Sequence, residues 1–117
     1  EAAAHYRQAL QQNPRHLPAL RALLELSRAL GRYEETVELL TRLRELTGSP
    51  ASRMDLSVQI GDLLADQLHH PEAAAQAYRE ALEHEPGNTR LLESLRRVLV
   101  HAERFPEAVD VLERLAS

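Results

Sequence analysis

The chain has 117 residues, of which 44% are hydrophobic and 27% are charged, a balance that favours a folded chain over a disordered one. It contains no cysteine, which excludes disulfides, thiolate chemistry and cysteine-based zinc sites. The 14 basic side chains are all arginine, and the formal net charge of −4 argues against nucleic acid as a main partner.

The first predicted helix covers residues 1–12 and carries a short pattern of small and aromatic residues. Ala2, Tyr6 and Ala9 lie four and three positions apart, so they share one stripe of the helix. The two small residues let another helix approach, and the ring between them fills the gap. Pro14 follows five positions later and stops the helix before a turn.

Residues 16–30 and 33–46 are predicted to form a hairpin of two helices, with Gly31 as the stop between them. The first of these helices is expected to bury four leucines: Leu20, Leu23, Leu24 and Leu30. The second carries a weaker copy of the pattern: Thr36, Leu40, Leu43 and Gly48.

The fourth helix is predicted to be about one turn longer than the others, because the next copy of the pattern comes four residues late. Ser49 can cap this helix and Pro50 suits its first turn, so we expect it to run from Pro50 to Leu68. An extra residue is expected to lengthen the turn at His69 and His70.

Three further helices are predicted at residues 71–84, 89–102 and 105–117. The fifth carries the clearest copy of the pattern: Ala74, Tyr78, Ala81 and Pro86. The sixth follows a predicted capping residue, Asn88, and is expected to bury three leucines: Leu92, Leu95 and Leu99. The seventh repeats the pattern with Ala108, Leu112 and Leu115, and Phe105 at its start is expected to pack on Val109.

The copies of the pattern begin at residues 2, 36, 74 and 108, at intervals of 34, 38 and 34. A period of about 34 residues is typical of helix–turn–helix repeat arrays. In this spacing, and in Ile60-Gly61 followed by Leu64, the chain resembles the tetratricopeptide repeat (TPR) family. The resemblance implies an all-α fold of about seven helices, stacked as antiparallel pairs in a right-handed superhelix.

The same resemblance implies one domain over residues 1–117, divided into repeats. Residues 1–14 would be the second helix of a truncated repeat, followed by repeats at 16–48, 50–87 and 88–117, of which the middle one is longer. The implied function is a scaffold that binds a peptide or protein segment, without catalysis of its own. Because Glu1 lies in the middle of the pattern, we expect the chain to be a piece of a longer protein.

In such a stack the first helix of each pair lines a concave side. Eleven residues on the outward faces of these helices, here called the groove surface, are the predicted partner-binding residues: Arg21, Glu25 and Arg28 on the second helix, Asp55, Val58, Asp62 and Asp66 on the fourth, and Arg90, Glu93, Arg97 and His101 on the sixth. Two interpretations stay open. The charges either pair across neighbouring helices and remain solvated, or they select a peptide. Asn residues and lysine, which some TPR domains use to hold a peptide carboxylate, are missing from these faces.

No enzymatic, cofactor or metal site is predicted. His69 and His70 are adjacent on a turn and point in different directions, and no H-E-x-x-H motif is present. Asp62 and Asp66 lie four positions apart, but no nucleophile, phosphate loop or cofactor motif accompanies them. These carboxylates are therefore interpreted as a solvated face or as part of the groove.

Self-association through the open ends or the convex side is the alternative function. Val109, Leu112 and Leu115 cannot all face inward, so either fraying of the terminal helices or end-to-end packing between molecules is expected. No apolar run is long enough to cross a membrane, and without a targeting segment the cytoplasm is the default expectation for the chain's location.

Overall fold

A computed structural model describes residues 2–117 and contains seven helices and no strand in that range. The helices are α1 (Ala2–Gln12), α2 (Leu17–Ala29), α3 (Tyr33–Leu46), α4 (Pro50–Asp66), α5 (Pro71–His84), α6 (Thr89–His101) and α7 (Phe105–Ala116). The predicted all-α class and the predicted number of helices are confirmed.

The helices form an elongated stack. Each helix packs mainly against the helices before and after it in the sequence. The stack measures 50 × 27 × 17 Å, and its radius of gyration is 15.9 Å. A compact domain of comparable length has a radius of gyration of about 13 Å. The chain therefore has the quasi-one-dimensional shape of a helical repeat, in which each layer buries the face of the layer before it.

Side chains cap the three helices that carry the groove surface. Ser49 Oγ accepts the backbone N–H of Ser52 at the start of α4, and Asn88 Oδ1 accepts that of Leu91 at the start of α6. Both caps were predicted. At the start of α2, His16 Nδ1 accepts a hydrogen bond from the backbone N–H of Ala19, at 3.1 Å. These caps satisfy backbone donors that a helix start leaves without a partner.

Two of the three hairpin turns share one geometry. Gly31 lies in the left-handed region with φ of 69°, and Glu103 occupies the same region with φ of 59°. In each turn the following backbone N–H donates to a carbonyl five residues back, from Arg32 to Ser27 and from Arg104 to Leu99. This bond pattern closes the helix and starts the next one after three residues.

The third hairpin turn, after α4, is wider. α4 has 17 residues against 13 in α2 and α6, so the predicted extra turn is confirmed. The helix ends at Asp66, however, and its predicted end at Leu68 is wrong. Leu68 N–H donates to the carbonyl of Leu63, and His70 N–H reaches back six residues to Leu64 at 2.7 Å. The first bond has the five-residue span of the other two turns, and the six-residue bond accommodates the extra residue outside the helix.

The core consists of three adjoining clusters. The first holds α1 against α2 and α3, the second joins α3, α4 and α5, and the third joins α5, α6 and α7. Leu40 and Tyr78, which occupy the same position of the repeated pattern, are both fully buried, with 0% of their surface exposed. At these two positions the pattern therefore identifies correctly a residue that the next layer covers.

Two predictions about apolar contacts are wrong. Leu30 is 61% exposed, because it is the C-cap residue of α2 and the turn at Gly31 leaves it at the end of the hairpin. Phe105 is the first residue of α7, which places it inside the helix instead of before its cap. Phe105 and Val109 are 55% and 50% exposed, so no buried contact between them closes the start of the helix.

One buried contact inside the α2–α3 hairpin is polar. The hydroxyls of Ser27 and Thr36 lie 2.8 Å apart, and both residues are buried. Each hydroxyl also lies within hydrogen-bonding distance of a carbonyl of its own helix, at Leu24 and at the cap residue Arg32. Among the described residues no buried side-chain polar atom is left without a partner.

Candidate functional site

The groove surface occupies α2, α4 and α6, and ten of its eleven residues are exposed. Val58 is the exception, because it is half-buried against the cluster that joins α5 and α6. The exposed residues present acidic side chains on α4 between helices that carry arginine. This is the order of charges that the sequence predicted, and it leaves most of them accessible to a partner.

Two contacts link these residues across neighbouring helices. Arg97 on α6 lies 3.9 Å from Asp66 on α4, and both side chains are at least half exposed. Arg28 on α2 donates to the amide oxygen of Gln59 on α4. An exposed ion pair contributes about 0–1 kcal/mol, so these contacts orient side chains more than they hold the stack together.

Most other charges of the groove surface have no ionic partner within residues 2–117. Glu93 pairs with Arg96 of its own helix, at 3.0 Å. No ion pair in that range involves the other seven titratable residues of the groove surface: Arg21, Glu25, Arg28, Asp55, Asp62, Arg90 and His101. Few of these charges pair, and all of them are exposed, so both interpretations of the groove surface, solvated charges and peptide selection, stay open.

Asp62 has a partner that sequence reasoning missed. The hydroxyl of Tyr78 donates to Asp62 Oδ1 at 2.6 Å, although Tyr78 belongs to α5 and is fully buried. The pKa of the Tyr78 phenol is raised well above its ordinary value. The largest cause is burial, followed by the hydrogen bond to Asp62 and the negative charge of Asp62. The nearby charge of Arg97 acts in the opposite direction. A core side chain thus ends in a polar group at the groove surface.

Gly61 makes this arrangement possible. A Cβ atom added to Gly61 would lie 2.7 Å from Cε1 of Tyr78, closer than real side chains approach. The aromatic ring therefore packs directly on the backbone of α4, one residue before Asp62. The pairing of a glycine in α4 with the aromatic residue of the pattern was the signal in the sequence that could have pointed to this contact.

The groove surface also has an apolar neighbour that sequence reasoning left out. Val100 occupies the position of α6 that Arg28 occupies in α2, counted from the first residue of each helix. It is 40% exposed. The position that holds a charged residue in α2 thus holds an apolar one in α6. The two outer helices of the groove surface therefore favour different partner side chains at this position.

Two open clefts lie away from the groove surface. One, of about 580 Å³, lies between the end of α3, the start of α4 and the end of α5. In it Arg44 donates to Ser57 Oγ at 3.1 Å and to Glu80 Oε2 at 2.7 Å. The other, of about 370 Å³, lies between α1 and α3, and the pair Arg7–Glu35 lies at its rim. In both clefts an arginine pairs with a glutamate. Ser57 and His84 both line the first cleft, but the hydrogen-bond partner of Ser57 Oγ is Arg44, and within residues 2–117 no base is hydrogen-bonded to it.

Metal and membrane features are absent from the part of the chain that the structure describes. No group of three or more His, Asp or Glu side chains in residues 2–117 comes together in a way that could hold a metal ion. Over the same residues, every helix is too short or too polar to cross a bilayer.

The outer face of α7 is apolar and uncovered. Phe105, Val109 and Leu112 lie on one side of the helix and are 55%, 50% and 49% exposed. Leu115, by contrast, is half-buried against the core. The expectation that these residues cannot all face inward is confirmed. At the other end of the stack Leu10 is buried, and the side chain of Ala2 lies outside the described residues.

The sequence matches a known family along most of its length. The family model described as tetratricopeptide repeat matches residues 1–54 and 67–117. A comparison with curated proteins finds no match.

Solved structures resemble the fold. The structure titled "MamA D159K mutant 1" matches with a TM-score of 0.70 at 17% sequence identity, over 97% of this chain and 64% of that one. The structure titled "MamA MSR-1 C2" matches with a TM-score of 0.68 at 16% identity, over 97% of this chain and 63% of that one. The chain thus spans slightly less than two thirds of the length of these proteins. At such low identity the likeness shows the fold alone.

Proposed function

Because the chain belongs to the tetratricopeptide repeat family, we propose that it is a protein-interaction scaffold that binds a peptide or protein segment along the groove surface. In this proposal the chain performs no catalysis of its own. Stacked helical hairpins offer an extended surface that a partner segment can follow from one layer to the next.

One observation carries the choice of surface. Seven of the ten titratable residues of the groove surface make no ion pair within residues 2–117, and they are spread over all three helices. Charges that stay in water carry no desolvation penalty, and they can form ion pairs with opposite charges on a partner. Electrostatic complementarity of this kind contributes more to specificity and to the rate of association than to affinity.

Charge reversal tests the surface. The double variant Arg28→Glu/Arg97→Glu changes one residue on each side of the acidic helix α4, and both residues are exposed. A partner captured by the purified chain should bind this variant more weakly, while the helical content by circular dichroism stays the same. The measurement belongs at low salt, where exposed charges are screened least.

A matched control keeps the net charge equal. Arg15→Glu/Arg42→Glu makes the same change in charge at two exposed arginines outside the groove surface. Binding should survive in this variant. If both double variants bind alike at low salt, the contact surface lies elsewhere on the stack.

The second candidate function is self-association, and the uncovered apolar face of α7 favours it. Phe105, Val109 and Leu112 form a continuous stripe that is about half exposed, and such stripes tend to be covered by another molecule. In this second proposal the molecule that covers the stripe is another copy of the chain. Sedimentation velocity over a range of concentrations decides this point, because a chain that stays monomeric at the highest concentration does not self-associate through this face.

A further inference from the structure

Tyr78 connects the two layers of the stack. It lies on α5, the second helix of its hairpin, and its ring is fully buried among residues of α4, α5 and α6. Its hydroxyl nevertheless reaches Asp62, an exposed residue of the groove surface on α4. Among the eleven groove residues, Asp62 is the one that accepts a hydrogen bond from a completely buried side chain, Tyr78.

We propose that Tyr78 is a positioning residue of the groove surface. Its hydroxyl occupies Asp62 Oδ1 and so fixes the carboxylate in one orientation, which leaves Oδ2 to accept a hydrogen bond from the partner. The inference rests on the proposed function, since it concerns how the same surface meets its partner. The complementary group is a donor, best the ammonium of a lysine or the guanidinium of an arginine, because charge-assisted hydrogen bonds are the stronger ones.

The neighbouring carboxylates are placed differently. The partner of Asp66 is Arg97, at 3.9 Å, whose side chain is half exposed. Asp55 lies seven residues before Asp62 on the same face of α4 and makes no ion pair within the described residues. Asp62 is thus the carboxylate whose orientation the core determines, and a fixed side chain loses less conformational freedom on binding than a mobile one.

The substitution Tyr78→Phe isolates this effect, because it keeps the ring in its packed position and removes only the hydroxyl. The loss of orientation of one side chain should weaken binding about two- to tenfold. A merely structural role would lower affinity to the same extent whether or not Asp62 is present. A positioning role acts only through Asp62, so Tyr78→Phe should have no effect on binding in an Asp62→Ala background.

The probe is a phage-displayed library of random peptides, selected on the wild-type chain. Dissociation constants of the selected peptides are then measured for the wild type, Tyr78→Phe, Asp62→Ala and the double variant. We expect a non-additive cycle and peptides enriched in lysine or arginine. If Tyr78→Phe leaves the constants unchanged, or weakens them equally in both backgrounds, the inference fails while the proposed function stands. If no peptide is selected, the proposed function fails.

A second measurement needs no partner. Side-chain scalar couplings of Asp62, measured by NMR, report whether its χ1 angle occupies one rotamer or several. One rotamer is expected in the wild type, and an average over several in Tyr78→Phe. An equally fixed Asp62 in both proteins overturns the inference, whatever the peptide selection yields. Asp66, which has no buried partner, serves as the internal control and should be unaffected.

Discussion

Tyr78 occupies the space that Gly61 leaves free: a Cβ atom on Gly61 would lie 2.7 Å from Cε1 of the ring. Glycine inside a helix is less favourable than alanine by about 1 kcal/mol. The contact explains why α4 nevertheless has a glycine here, because the ring of Tyr78 could not otherwise reach Asp62. The groove surface and the core are therefore joined at this point, and both depend on a residue without a side chain.

Gly61→Ala should destabilise the chain although it improves helix propensity. Overpacking a buried contact costs about 1–3 kcal/mol, and alanine recovers about 1 kcal/mol of helix propensity. We expect a net loss of about 1 kcal/mol in the free energy of unfolding, measured by urea denaturation. Gly48→Ala is the control, because a Cβ atom at Gly48 meets nothing within 4 Å. A Gly61→Ala variant as stable as the wild type would mean that the ring has room to move.

Stability should fall at alkaline pH because of Tyr78. Its pKa is raised in the folded chain, foremost by burial and then by Asp62. Below a pH of about 10, tyrosine keeps its proton in both states, so the contribution of Tyr78 is fully present. Above about pH 10 only the unfolded chain loses this proton, and the free energy of unfolding drops by up to about 1.4 kcal/mol per pH unit.

Urea denaturation between about pH 9 and pH 11 measures this slope. Tyr78→Phe should flatten it, whereas Tyr33→Phe, which leaves Tyr78 in place, should keep it. The outcome that contradicts the assignment is an equal slope in the wild type and in Tyr78→Phe.

The fold could be predicted because the repeat spacing depends on local rules. Helix stripes, caps and stops recur at fixed offsets, and Ser49, Asn88 and Gly31 all act as the pattern indicates. Errors arose where a residue lies at the edge of an element. Leu30 continues the apolar stripe of α2 in the sequence. In the structure it is the C-cap residue of that helix, at the end of the hairpin, where its side chain is exposed.

The candidate site was less predictable, because its details depend on contacts between layers. The sequence identified Asp62 and Tyr78 separately, one as a groove residue and the other as a core residue. Their hydrogen bond depends on the exact separation of α4 and α5, which the glycine sets. The hydroxyl contact between Ser27 and Thr36 is of the same kind, since two polar residues in one hairpin give no sign of being paired. The role of the eleven groove residues stays a proposal.

Glu103→Gly should stabilise the chain. Glu103 has φ of 59°, a left-handed conformation that costs a residue with a side chain about 1–2 kcal/mol. Glycine adopts it freely but gains more freedom in the unfolded chain, so we expect a net increase of about 0.5–1 kcal/mol in the free energy of unfolding. Thermal denaturation should show a higher Tm.

The reciprocal change provides the control for that turn. Gly31 occupies the equivalent position of the first hairpin with φ of 69°, and a Cβ atom there meets nothing within 4 Å. Gly31→Ala should therefore destabilise through backbone conformation alone, by about 1 kcal/mol. If both substitutions leave Tm unchanged, the left-handed turns are not strained and the explanation is wrong.

The apolar face of α7 provides the last prediction. Leu112 stands at the position that Leu40 and Tyr78 hold in α3 and α5, where the following helix covers them completely. Leu112 itself is 49% exposed. Val109→Gln/Leu112→Gln should therefore lower stability only modestly, by about 1–2 kcal/mol, because half of each side chain is already in water. Leu40→Gln, at a fully buried position, should prevent stable folding.

If the chain self-associates, this double variant should weaken the association, measured by sedimentation velocity at increasing concentration. Asp110→Asn/Glu113→Gln is the matched control, because it changes two exposed residues of α7 without removing apolar surface. Appending a helix with the sequence of α6 after Ser117 should have the effect of the apolar-to-polar variant, since such a helix would cover α7 as α6 covers α5. An association of undiminished strength in both altered chains would show that the molecules meet through another surface, and the convex side would then be the first to examine.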